Sequence, residues 1–200
     1  GCRGIALDSA TMAATGLEID GIGDREWVVV DADGEFLSQR EYPTLAVVET
    51  RMTETHLRLK APGMLQLEVP FASEGDVVKA RVWDDTIAAV TQGEVADAWF
   101  SNFLGVPARL LLFDPEHTRL ASHRWTGKDE VPYKFADAFP LLVTNTASLA
   151  DLNRRLLKQG QPTVDMQRFR ANLVLDGIDA YEEDYIDRIT LGDVVLRAVK

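Results

Sequence analysis

Cysteine is nearly absent: Cys2 stands alone among 200 residues. That excludes an intrachain disulfide and fits a reducing compartment, so a cytoplasmic protein is expected. Long apolar runs are missing too. The longest, Leu110–Phe113 and Leu141–Val143 with their neighbours, fall far short of the roughly 18 residues that a membrane helix needs. The opening GCRGIALDSA lacks the basic region and apolar run of a secretory signal. Histidine is scarce: His56, His117 and His123 form no H-x-x-x-H or H-x-x-H pair, and no metal ligand set is expected within the chain. Neither G-x-S-x-G nor a phosphate-binding glycine loop occurs, which argues against a serine-elbow hydrolase or a P-loop enzyme. Positive charge is outweighed. A formal net charge of −11 repels phosphate backbones, so neither nucleic acid nor an anionic membrane is an expected partner.

What is present reads as β-structure in the first half. Trp27–Asp31 and Phe36–Gln39 flank Ala32-Asp33-Gly34, a strong hairpin signal. A short strand is expected at Leu45–Val48. His56–Lys60 alternates with period two, turns at Ala61-Pro62-Gly63, and resumes at Met64–Val69. Val77–Trp83 and Thr86–Val90 pair around Asp84-Asp85. Short strands at this spacing suggest a small barrel or curled sheet.

Two helices stand out. Val95, Trp99 and Phe103 fall at i, i+4 and i+8, and Gly105 and Pro107 supply a stop. Ser148 with Asp151 reads as a capping box for a second helix, striped by Leu149, Leu152 and Leu156 and ended by Gly160. Further strands are expected at Arg109–Phe113, Ala171–Leu175 and Val194–Ala198. The fold class is α+β, β-dominated, with a soft boundary within Asp114–Glu130.

The clustered carboxylates Glu182, Glu183, Asp184 and Asp187 read as a solvated face. Arginines are more informative. Arg25 lies at the mouth of an apolar strand, Arg40 ends its partner, and Arg168 and Arg170 flank Phe169 before another buried strand. Arginine at strand ends is suited to clamp a phosphate or carboxylate bidentately. Pairing with Asp24, Asp165 or Glu41 is the alternative, and both stand.

The same segments carry a resemblance. GCRGIALDSATMAATGL with GDREWVVVDADGEFLSQREYPTLA resembles the start of MOSC N-terminal β-barrel domains. FADAFPLLVTNTASLADLNRRL and VDMQRFRANLVLDGIDAYEEDYIDRITLGDVVLRAVK resemble the opening of the MOSC domain. The implied organisation is a MOSC N-terminal β-barrel-like domain over 1–115 and the first part of a MOSC domain over 116–200. The resemblance also implies a molybdenum–pterin cofactor, with Arg25 at the pterin phosphate, Arg170 and Asn172 lining the site, Asp137 on its rim and Arg40 nearby. The family's R-P-N becomes Arg170-Ala171-Asn172 here, which loses a rigid φ but keeps both polar residues.

In that family a cysteine thiolate holds the metal, within a P-C-x-R-C motif that would follow Lys200; Cys2 reads as an inert thiol. The expected function is therefore a molybdenum-cofactor oxidoreductase that reduces N-hydroxylated small molecules, with electrons from a separate protein. The 200-residue chain alone is expected to be inactive, its catalytic cysteine lying beyond Lys200. The alternative is a non-catalytic fragment or a sulfur-carrier domain, related to cofactor sulfurases whose N-terminal part uses pyridoxal phosphate.

Overall fold

The computed structural model describes residues 1–72 and 74–199. Strands dominate, at 31% of residues against 21% helical. Strands β1 (Thr11–Ala13), β2 (Gly16–Ile19) and β3 (Ile22–Gly23) form a small antiparallel sheet ahead of β4 (Trp27–Val30). Next come β5 (Glu49–Met52), β6 (His56–Lys60) and β7 (Leu67–Pro70), a three-stranded antiparallel sheet. Strands β8 (Val77–Val82) and β9 (Asp85–Thr91) lead into helix α1 (Glu94–Leu104) and β10 (Arg109–Phe113). The largest sheet has the order β4-β10-β9-β8.

Apolar patterning explains why β4 and β10 are central. Both read as unbroken apolar runs, the pattern of strands covered on both faces. Val29 and Leu110 face a core shared with Leu57, Leu59, Leu67 and Val69 of the three-stranded sheet. Their neighbours Val28, Val30 and Leu111 face a second core with Ala80, Ile87, Ala89, Phe113 and Phe135. Each such fully buried aliphatic side chain contributes about 1.5–3 kcal/mol.

Helix α1 closes the first core along most of the expected stripe: Trp99 lies in it and Phe103 packs against it, but Val95 faces outward. Val95 is 76% exposed, whereas Ala96, Trp99 and Phe100 are buried. Two contacts hold the helix: Asp97 Oδ1 accepts from the Leu110 backbone at 2.9 Å, and the Trp99 indole donates to the Leu65 carbonyl at 2.7 Å. Gly105, at φ 72°, ends the helix as the sequence predicts.

The first hairpin is also modified. After Gly34 only an isolated bridge joins Val30 to Phe36, and the second arm crosses to Arg81 of β8. Gly34 is required there: its φ is 86°, and a Cβ would lie 2.8 Å from the Lys79 carbonyl oxygen. The strand expected at Leu45–Val48 is a 3₁₀ turn over Pro43–Val47, because the fixed φ of Pro43 starts a helical turn.

The second half carries a short helix α2 (His123–Thr126), β11 (Val143–Asn145), α3 (Thr146–Lys158), β12 (Leu173–Leu175), β13 (Arg188–Leu191) and β14 (Val194–Arg197). Strand β12 runs parallel to β11, joined through α3, and β14 pairs antiparallel with β13. Asn145, not Ser148, caps α3: its side chain accepts from the Ala147 backbone at 2.9 Å. Ser148 instead accepts from the Tyr181 backbone at 2.8 Å. The carboxylate cluster is partly structural, since Glu183 accepts from the buried Asn145 amide at 3.1 Å. No helix among the described residues is long and apolar enough to cross a membrane.

Candidate anion site between strand β4 and the turn before strand β12

Two arginines in the left-handed region organise the site. Arg25 has φ 52° and lies just before β4; Arg170 has φ 53° and follows the 3₁₀ turn Met166–Phe169. The Arg25 carbonyl accepts from Phe135 at 3.1 Å. Its guanidinium reaches across the protein: Nη2 donates to the Arg170 carbonyl at 2.7 Å and Nη1 to Asn172 Oδ1 at 3.2 Å.

Asp24 completes the tie. It pairs with Arg25 Nη1 and accepts from Asn172 Nδ2 at 2.7 Å. Asn172 Oδ1 also accepts from the Leu142 backbone at 3.0 Å. Three of the expected site residues, Arg25, Arg170 and Asn172, are thus brought together over more than 140 positions of sequence. Both Nη groups of Arg25 are engaged by the protein, so pairing with Asp24 is the arrangement that forms.

Arg170 differs from Arg25. Its Nε is buried and has no hydrogen-bond partner among the described residues. Its guanidinium faces Gly1, where a Cβ would come within 2.9 Å of Nη2. Burial and the nearby Arg25 hold Arg170 below the usual arginine range, with Asp24, Cys2 and Asp137 acting in the opposite direction. A cavity of about 360 Å³ opens beside it, lined by Arg3, Gln39, Asp165, Gln167 and Arg168 among others. A buried, unpartnered donor with further guanidiniums around a polar cavity is a donor set for an anion.

Asp137 and Arg40 sit together at one side. The Trp83 indole N–H donates to Asp137 Oδ1, and the Arg40 guanidinium lies 5.5 Å from the centre of the Trp83 ring. Phe36 meets the same ring edge-on at 4.7 Å. Below them Arg119, 6% exposed, binds Asp85 through Nε at 2.9 Å and Nη2 at 2.6 Å. Its Nη1 donates to the carbonyls of Lys134 at 2.8 Å and Ala136 at 2.9 Å, and Tyr133 stacks 4.1 Å away.

Sequence reasoning missed Trp83 and Arg119. An indole beside the Asp84-Asp85 turn was the available signal for Trp83. Arg119 lies in a stretch that shows no periodicity.

The thiol of Cys2 is pushed up to about 11, chiefly by burial, with Arg170 acting in the opposite direction. Such a thiol is neutral at pH 7 and is a poor nucleophile and metal ligand in that form. Among the described residues no group of three or more His, Cys, Asp or Glu side chains converges as a metal site. A larger depression of about 620 Å³, between the β6–β7 turn and α1, is lined mainly by Met64, Leu65, Val95 and Trp99. It has no convergent donors of the kind found around Arg170.

A model of the MOSC N-terminal beta barrel domain matches residues 1–107, and a model of the MOSC domain matches residues 130–200. The chain belongs to the MOSC family. Its relatives include mitochondrial amidoxime reducing component 2 of Bos taurus, 34% identical over 203 residues, covering 99% of this chain and 59% of that protein. Mitochondrial amidoxime-reducing component 1 of Homo sapiens is 33% identical over 205 residues, with the same two coverages. This MOSC chain therefore spans about three-fifths of the length of the curated relatives it matches. A Bordetella bronchiseptica protein of known solution structure is 30% identical, covering 56% of this chain and 92% of that one, with a TM-score of 0.43.

Proposed function

We propose that this MOSC chain forms the phosphate-holding cradle of a molybdenum–pterin cofactor. In the longer protein that its relatives represent, the activity would be reduction of N-hydroxylated small molecules. The observation that carries the reading is Arg170: a half-buried guanidinium whose Nε has no hydrogen-bond partner among the described residues, beside a cavity that Arg3 and Arg168 also line. In a protein of net charge −11 such a concentration of donors points to an anion. The relatives, named as amidoxime-reducing components, support the reaction class.

The donor set fits the phosphate of a phosphorylated pterin, and roles divide between its members. Arg170 supplies the charge-assisted hydrogen bonds. Arg25 and Asn172 hold the turn that presents Arg170, because Arg25 grips the Arg170 carbonyl and Asn172 grips Asp24. Asp137 lies on the rim, and Arg40 stands outside it, stacked on Trp83. When bound, the cofactor supplies redox chemistry through its metal, for which a soft thiolate is the suited ligand. In this reading Cys2, which keeps its proton, is not that thiolate. A separate protein supplies the electrons. A lone thiol favours a reducing compartment, which we take to be the cytoplasm; the relatives' names place those proteins in mitochondria.

Calorimetric titration with inorganic phosphate and pyrophosphate tests the cradle directly. Both should bind, and Arg170→Ala should weaken binding by at least about tenfold, the scale of one lost charge-assisted hydrogen bond. Equal affinity in the variant removes Arg170 from the site. Protein made in a host that synthesises the cofactor should retain less pterin when it carries Arg170→Ala.

A further inference from the structure

Asp24, Arg25 and Glu26 join β3 to β4, and the side chains that tie the cradle together leave from this turn: Arg25 grips the Arg170 carbonyl, and Asp24 accepts from Asn172. Backbone bonds fix the turn from outside. The Asp24 N–H donates to the Leu17 carbonyl at 2.8 Å, while the carbonyls of Arg25 and Glu26 accept from Phe135 at 3.1 Å and Phe113 at 2.8 Å.

A side chain closes it from inside. Glu26 Oε2 accepts from the Gly23 N–H at 2.5 Å and so spans Asp24 and Arg25, the two residues that make the tie. The other carboxylate oxygen, Oε1, accepts from Lys134 Nζ at 2.6 Å, across 108 positions of sequence. The Glu26 and Lys134 side chains are 15% and 16% exposed. Gly23 leaves room for the ammonium, since a Cβ there would lie 2.7 Å from Nζ. A pair of charges this buried adds little net stability, because each loses its hydration, and an apolar pair of the same volume often serves as well. An apolar pair could not accept the Gly23 N–H.

We propose that Glu26 and Lys134 are positioning residues for the anion cradle. Lys134 holds the Glu26 carboxylate on the Gly23 N–H, and the closed turn aims Asp24 and Arg25 at the segment that carries Arg170. The inference rests on the cradle reading above.

The test is inorganic phosphate binding to the 200-residue chain and to Glu26→Gln, Lys134→Met and the double variant. Glutamine offers one oxygen where glutamate offers two, so it cannot serve both Gly23 and Lys134. Methionine leaves the carboxylate without a cation, which turns it out toward water. Each single variant should bind phosphate about tenfold more weakly. The two change the net charge in opposite directions, so a long-range charge effect cannot weaken both. In the double variant the glutamine oxygen is free for Gly23, and affinity should return to within about threefold of wild type. In ¹⁵N–¹H spectra without phosphate, the Gly23 amide and the Asn172 side-chain amide should both move in each single variant and return in the double one. A packing role would lower the melting temperature and leave the Asn172 amide in place.

If a single variant does not fold, Glu26→Asp serves instead: one methylene shorter, its carboxylate cannot reach both partners, and phosphate binding should weaken similarly. Wild-type affinity in either single variant or, failing those, in Glu26→Asp overturns the inference, as does a double variant as weak as the single ones. If the unaltered chain itself ignores phosphate and pyrophosphate, the cradle reading falls and takes this inference with it.

Discussion

Asn172 Nδ2 donates to Asp24 Oδ2 at 2.7 Å, across 148 positions of sequence. Asp24 also pairs with Arg25, whose Nη2 reaches back to the carbonyl of Arg170. The closed set of contacts makes the turn before β12 part of the same structure as the mouth of β4. Arg170 is presented by that turn, so the cradle exists only once both ends of the chain have folded together.

Arg25→Ala should destabilise the protein as well as weaken anion binding. Removing the guanidinium leaves the Arg170 carbonyl without its side-chain donor and the Asp24 carboxylate with Asn172 but no cation, a loss of about 1–3 kcal/mol. Urea denaturation should show a lower midpoint, and phosphate affinity should fall because Arg170 is no longer held. Wild-type stability would mean the tie is dispensable.

Arg119 offers a sharper stability test. It is 6% exposed and is bound to Asp85 and two carbonyls, so Arg119→Met leaves several polar groups unpaired. The Asp85 side chain is 50% exposed, which moderates the loss to about 2–3 kcal/mol. Arg119→Lys should recover little of it, because an ammonium cannot reproduce the forked contact. Thermal melts of the two variants check this.

The face of α1 makes a paired prediction. Phe100→Ala opens a cavity in the first core and should cost about 3–5 kcal/mol. Val95→Ala, on a residue 76% exposed, should stay within about 0.5 kcal/mol of wild type. A large effect at Val95 would contradict its observed exposure.

Cys2 predicts a pH dependence. Its thiol is pushed up from 9.0 to about 11 by burial, so the folded state holds this proton more tightly than the unfolded chain. The contribution to stability is complete below pH 9 and is lost as pH rises from about 9 to about 11. Alkylation by iodoacetamide should be slow at pH 8 and accelerate toward pH 11. Rapid labelling at neutral pH would show a thiolate that the structure does not support.

Much of the fold was legible because β-structure leaves short-range marks. Alternation at His56–Lys60 and the unbroken run of β10 need only neighbouring residues to be recognised. Misreadings fell where a distant partner decided the outcome. The α1 contacts to Leu65 and Leu110 kept Trp99 in the core but left Val95, the first residue of the expected stripe, exposed. Asn145 capped α3 one turn before Ser148, its amide anchored by Glu183 and the Asp179 carbonyl. Strand β13 went unnoticed because its apolar residues alternate only briefly beside an acidic segment.

The sequence by itself determined the scarcity of thiols, the absence of long apolar runs, the β-rich class and the family, because composition and motif order are local properties of the chain. It also singled out Arg25, Arg40, Asp137, Arg170 and Asn172. Only the tertiary structure decided what those residues do for one another. Arg25 commits its Nη donors to Asp24, Asn172 and a carbonyl, while Arg170 keeps a buried Nε with no partner among the described residues. Two arginines of similar local setting were thereby divided into a tie and an open donor. The reason is geometric: which acid or carbonyl lies within about 3 Å of a guanidinium depends on where residues more than a hundred positions away come to rest.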